Sequence, residues 1–100
     1  MSVIVAGTFR VPPANLDAFR PHMLTMLAAS RAEEGCIEYS YAEDVAEPGL
    51  IRVFEVWRDQ AALDAHLAAP HIAQWRAAWP AHEAGDRNLR AYEIAKDRQT

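Results

Sequence analysis

Apolar and polar positions alternate from Val3 to Val11. Val3, Val5, Phe9 and Val11 fall on one face, and Ile4, Ala6, Thr8 and Arg10 on the other. A period of two predicts a strand, and Pro12-Pro13 ends it, because proline has no N–H for the ladder. The period then changes. Leu16, Phe19, Met23, Met26, Leu27 and Ser30 recur at helical spacing and predict a helix over residues 14–33. Pro21 within that pattern removes one hydrogen bond, so a kink or a split-off first turn is expected. Gly35 is placed to stop the helix in the left-handed conformation.

Alternation resumes over residues 36–43, with Ile37, Tyr39 and Tyr41 set against Glu38 and Ser40. Glu47-Pro48-Gly49 has proline and glycine where a type II turn requires them. Residues 50–57 form the next strand and complete an antiparallel hairpin. Ile51, Val53, Glu55 and Trp57 share one of its faces; Arg52, Phe54 and Val56 share the other. Asp59 is a suitable N-cap for a helix carrying Ala62, Leu63, His66 and Leu67. Pro70 suits the first position of a second short helix carrying Ile72, Trp75, Ala78 and Trp79, which Pro80 closes. Residues 81–88 read as a loop and 89–95 as the last strand.

The order β-α-β-β-α(α)-β, with right-handed crossovers, gives a ferredoxin-like α+β fold. Its helices cover one face of a four-stranded antiparallel sheet. The first and third strands are apolar on both faces, whereas a solvated sheet face reads polar. The chain has no spare element to cover the second face, so a homodimer with sheets packed face to face is expected.

The 100 residues suit a single domain, with a core over about residues 3–95 and a tail at 96–100. A net charge of −4 and the lack of clustered Lys and Arg exclude a nucleic-acid partner. One cysteine, Cys36, permits no intrachain disulfide, and its thiol is expected to be structural. No stretch reaches the roughly 20 apolar residues of a membrane span, and the N-terminus lacks a signal-peptide pattern, so a cytoplasmic protein is expected. There is no glycine-rich phosphate loop or dinucleotide fingerprint, and no cofactor is expected. His66 and His71 straddle Pro70 without the i, i+4 spacing of a helical ligand pair, so no metal site is expected either.

One ordered set of residues carries a resemblance. Glu34-Gly35-Cys36, Tyr39, Glu55-x-Trp57-x-Asp59, Ala62-Leu63-x-x-His66 and Pro70-His71 together resemble the antibiotic biosynthesis monooxygenase family, over about residues 3–95. The resemblance implies a dimeric α+β barrel. It also implies one of several activities: cofactor-independent oxygenation of quinols or polycyclic phenols, haem degradation, or isomerisation of a small sugar derivative. The helical Trp and later His of the haem degraders fall near His66 and Arg76 here, which argues against haem.

Within that frame His66 is the candidate base and Glu55 the buried carboxylate that orients it. Trp57, Tyr39, His71, Met23 and Trp75 are candidate substrate contacts, as aromatic or adaptable pocket walls. The expected activity is a monooxygenase that joins O₂ to an aromatic, quinone-like small molecule. An isomerase or lyase of a small carbonyl compound, and a module that only binds its ligand, remain open alternatives.

Overall fold

The chain's four strands pair wholly antiparallel in the order β2-β3-β1-β4. In this computed structural model, which describes residues 1–100, β1 is Val3–Arg10, β2 Cys36–Glu43, β3 Leu50–Trp57 and β4 Gly85–Glu93. The helices are α1 (Leu16–Arg31), α2 (Gln60–Leu67) and α3 (Pro70–Ala78). They lie against one face of the sheet, which gives the ferredoxin-like α+β arrangement. No helix is long and apolar enough to cross a membrane.

The core forms where the alternating strand positions meet the helical stripes. Val3, Val5 and Phe9 of β1 and Ile51, Val53 and Trp57 of β3 are buried against Phe19, Met23 and Met26 of α1. Side chains of this size contribute about 1.5–3 kcal/mol each on full burial. Phe9 meets both Phe19 and Trp75 edge-on, at centroid distances of 6.4 and 5.9 Å, which locks α1 and α3 onto the central strand.

Several local expectations are met. Asp59 caps α2, its carboxylate accepting from the Ala62 N–H at 2.9 Å. Pro70 opens α3. Gly49 sits at φ +81° after Pro48, and a Cβ there would strike the Val11 carbonyl oxygen.

Others are corrected. A one-turn 3-10 helix at Pro13–Asn15 precedes α1, and the α-helix continues through Pro21 without a break. Only the Asp17 carbonyl, near the helix start, loses its donor. Gly35 is not left-handed, and α1 ends through Ala32 in the right-handed region. Glycine is needed at position 35 for space, because a Cβ there would collide with that of Ala62 on α2. Ile37 does not share the face of Tyr39. A register shift between Cys36 and Glu38 turns it outward, leaving it 62% exposed while Tyr39 is 3% exposed. The last strand begins at Gly85, four residues earlier than its hydrophobic pattern suggests. Its first residues are polar yet still pair with β1, across a bulge between Thr8 and Arg10.

The face of the sheet away from the helices is open in the single chain. Register places Ile4 opposite both Val56 and Tyr92, and Ala6 opposite Phe54. Phe54 is 39% exposed and Tyr92 48%.

Candidate active site

The α1–β2 turn and the β3–α2 turn lie at the same end of the sheet, because Cys36 pairs with Trp57. Arg58 N–H donates to the Gly35 carbonyl at 2.9 Å and ties the two turns together. This brings Glu33 beside the second turn of α2. One carboxylate oxygen of Glu33, Oε2, lies 2.6 Å from His66 Nδ1 and 2.9 Å from His71 Nε2. The Asp59 cap sets the start of α2 so that Ala62, Leu63 and His66 form its buried face, with His66 only 2% exposed. His71 occupies the first turn of α3 and is half-buried.

A carboxylate accepting from Nδ1–H fixes the His66 tautomer with the proton on Nδ1, leaving Nε2 as an acceptor. The same logic puts the His71 proton on Nε2. His66 is enclosed by the rings of Trp57 and Tyr39, at centroid distances of 4.4 and 5.5 Å. Burial pushes its pKa down, and the bond to Glu33 opposes that shift. The result is a neutral, oriented imidazole in apolar surroundings.

Glu55 does not orient His66. Its Oε1 accepts from the Trp57 indole N–H at 2.9 Å, and the orienting carboxylate is Glu33. Burial raises the Glu55 pKa to about 7, with the Trp57 hydrogen bond and the charge of Arg87 acting against it. Near neutral pH this carboxyl is available both as acid and as base. Tyr39 and Tyr41 share a hydrogen bond between their hydroxyls at 2.9 Å, and burial raises both phenol pKa values, so both remain protonated.

These groups surround a cavity of about 540 Å³ between the helices and the sheet, lined also by residues of β4. Its volume falls in the range of about 300–1,000 Å³ common for small-molecule sites. His66, Glu55, Tyr39 and Trp75 all line it. Its aromatic wall is ordered: Tyr41 stacks on Trp75 at 5.6 Å and 13°, and Phe9 lies 4.9 Å from Trp79.

Three of the expected contacts do not reach this cavity. Trp57 is wholly buried behind His66, its N–H committed to Glu55. Met23 is packed in the core, and Met26, one turn later on α1, lines the cavity in its place. His71 stands on the far side of Glu33 and borders a smaller cleft beside His22 and Gln74.

Glu33 is the residue that sequence reasoning missed. The hairpin register, which pairs Cys36 with Trp57, is the signal that could have found it, because it sets the turn bearing Glu33 beside α2. Spacing was also a poor guide to ligand geometry. Ligand atoms of Glu33, His66 and His71 lie within 4.8 Å of one another, close enough to consider a cation, although His66 and His71 are five residues apart. Here the shared oxygen is accounted for by two hydrogen bonds.

The profile of the antibiotic biosynthesis monooxygenase family matches residues 2–86, and the chain belongs to that family. An uncharacterised Synechocystis protein, sll1783, is 36% identical over 94 residues, covering 94% of this chain. The chain spans 64% of that relative's length. Rv0793 of Mycobacterium tuberculosis, provisionally named a monooxygenase, is 36% identical over 75% of this chain and 73% of its own. Its solved structure superposes with a TM-score of 0.78 at 29% identity, over 99% of this chain and 98% of that one. A Deinococcus radiodurans structure, provisionally described as an antibiotic biosynthesis monooxygenase, reaches a TM-score of 0.90 at 26% identity. That match covers 100% and 98% of the two chains.

Proposed function

We propose that this protein is a monooxygenase of electron-rich phenolic or quinol-type aromatic molecules, working without a bound cofactor. The observation that carries this reading is the Glu33–His66 couple at the wall of an aromatic-lined cavity. Family membership and the provisional monooxygenase names of two relatives support it.

The chemistry follows from the groups present. An anthrone-type substrate loses a proton to His66 Nε2, and Glu33 stabilises the imidazolium formed. The resulting electron-rich anion passes one electron to O₂, and the radical pair combines into a carbon–oxygen bond. The peroxide anion takes a proton from Glu55. The Glu55 carboxylate then takes the remaining C–H proton as the O–O bond breaks, and the leaving oxygen takes the proton held by the His66 imidazolium, so that a new carbonyl forms, water is released and both groups return to their starting states. One oxygen atom enters the product and the other enters water. The apolar cavity excludes solvent from the intermediate, and Tyr41 and Trp75 offer flat faces to the ring system.

The test is oxygen uptake by metal- and flavin-free protein supplied with anthrone or a reduced naphthoquinone, with ¹⁸O₂ to follow the label. One labelled atom per product and a loss of at least tenfold in His66→Ala are expected. An unchanged rate in that variant removes His66 from the mechanism. Substrate-dependent proton exchange without O₂ uptake would assign the same base to an isomerase instead.

We also infer that two copies pair through the open sheet face. The exposed Phe54 and Tyr92, beside half-buried Ile4 and Val56, form an apolar surface that no element of the chain covers.

A further inference from the structure

The chain carries 14 acidic against 10 basic side chains, so carboxylate partners for arginine are plentiful. Arg10, Arg20, Arg52 and Arg58 each take one or more. Arg31 donates to the Tyr39 carbonyl at 2.8 Å. Arg76 of α3 and Arg87 of β4 do neither. No carboxylate lies within 4.0 Å of either guanidinium, and both side chains are exposed.

Both nevertheless line the cavity, Arg76 from α3 and Arg87 from β4. Their charges reach inside it. Arg76 acts on His66, and Arg87 on Glu55 and Tyr41. Trp79 lies on the same wall, and its buried indole N–H has no acceptor within the chain. Arg90 and Asp86 are also among the lining residues. Arg90 pairs with Ala6, so its side chain belongs to the outer sheet face. The inward-facing cations are therefore Arg76 and Arg87.

Unpaired guanidinium groups at the rim of an apolar cavity are poised for an anion, and carboxylate fits their planar fork. An aromatic system bound with its phenolic end at His66 and Glu55 would present its opposite end to this rim. We infer that the cavity takes an aromatic acid, whose carboxylate is held at the opening by Arg76 and Arg87 while its ring system stacks on Trp75 and Tyr41.

This inference rests on the site proposed above and narrows its substrate class. It is tested by equilibrium binding, which needs no turnover. Anthraquinone-2-carboxylate, a stable product-like acid, is compared with its carboxamide of nearly equal size, followed through quenching of the Trp75 and Trp79 fluorescence. The acid should bind at least tenfold more tightly, and the preference should shrink as salt rises. Arg76→Gln and Arg87→Gln should each weaken the acid severalfold, and the double variant should bind acid and amide alike, with amide affinity unchanged. Equal binding of the two probes to the native protein, a preference that survives the double variant, or binding of neither probe overturns the inference. A selective site without O₂ uptake would leave the inference standing and refute the monooxygenase reading. Uptake with neutral phenols but no acid preference would do the reverse.

Discussion

Glu33 and His66 are 33 residues apart in sequence and 2.6 Å apart in the fold. Their hydrogen bond is the orienting contact of the proposed base, and it joins the turn after the first helix to the last turn of the second. Glu33→Gln keeps the shape and an acceptor oxygen but removes the charge that stabilises imidazolium. We expect kcat to fall by about 10²-fold or more, in keeping with the large effect of losing such a carboxylate in hydrolytic triads, with the folded circular-dichroism spectrum retained. A rate within threefold of the native protein would show that Glu33 is only structural.

Glu55 gives stability a pH signature. Its folded-state pKa of about 7 lies above its ordinary 4.5. Between these values the folded protein holds a proton that the unfolded chain has released, so this group's contribution to stability falls as pH rises through that window. At roughly 1.4 kcal/mol per unit the whole effect is at most about 3 kcal/mol. Glu55→Gln, which cannot ionise, should remove this slope and be relatively more stable at pH 8 than at pH 5. Denaturant titrations at the two pH values read the difference. His66 works in the opposite sense: its lowered pKa means stability is lost as pH falls below 6.5. The slope is therefore compared between native protein and variant rather than read from either alone.

Trp57→Phe removes the one hydrogen bond that the Glu55 carboxylate receives from an indole. The Glu55 pKa should rise further, because that bond favours the charged form. The alkaline limb of the pH–rate profile, where Glu55 loses the proton it donates, should move upward, and an unmoved limb would separate Glu55 from the rate-controlling proton transfer.

On the open sheet face, Phe54→Glu places a charge where two copies would meet. The native protein should scatter light as a dimer at micromolar concentration and the variant as a monomer. A monomeric native protein would end the pairing proposal.

Much of this architecture was legible because it rests on short-range chemistry. Alternation marked the inward rows of β1 and β3, ending at Trp57. Asp59 and Pro70 marked helix starts by the hydrogen bonds they can or cannot make. The errors came where a residue's role depends on a distant segment. Gly35 reads as a left-handed stop when only α1 is considered, and its real constraint is Ala62, on another helix. Ile37 reads as inward by alternation, and a bulge set by pairing with β3 turns it out. Glu55 reads as the partner of His66 because both are polar and inward, but Trp57 on its own strand is the nearer partner. Glu33 carried no local pattern at all.

The Gly35–Ala62 contact links stability to the site. Gly35→Ala forces apart the turn that carries Glu33 and the helix that carries His66. Overpacking of this kind costs about 1–3 kcal/mol. The melting temperature should drop, and activity at a temperature well below melting should drop as well. A stability loss with full activity would mean that the turn yields without moving Glu33.

Because the base and its orienting carboxylate lie on separate pieces of chain, the site exists only while α2 and α3 remain docked. α2 is eight residues long and too short to persist alone. If this helical pair lifts from the sheet before the strands separate, the base loses its fixed tautomer in a molecule that is still largely folded. Heat should then silence the proposed activity some degrees before the strand amides exchange with solvent, and the gap between the two temperatures would measure how independently this pair moves.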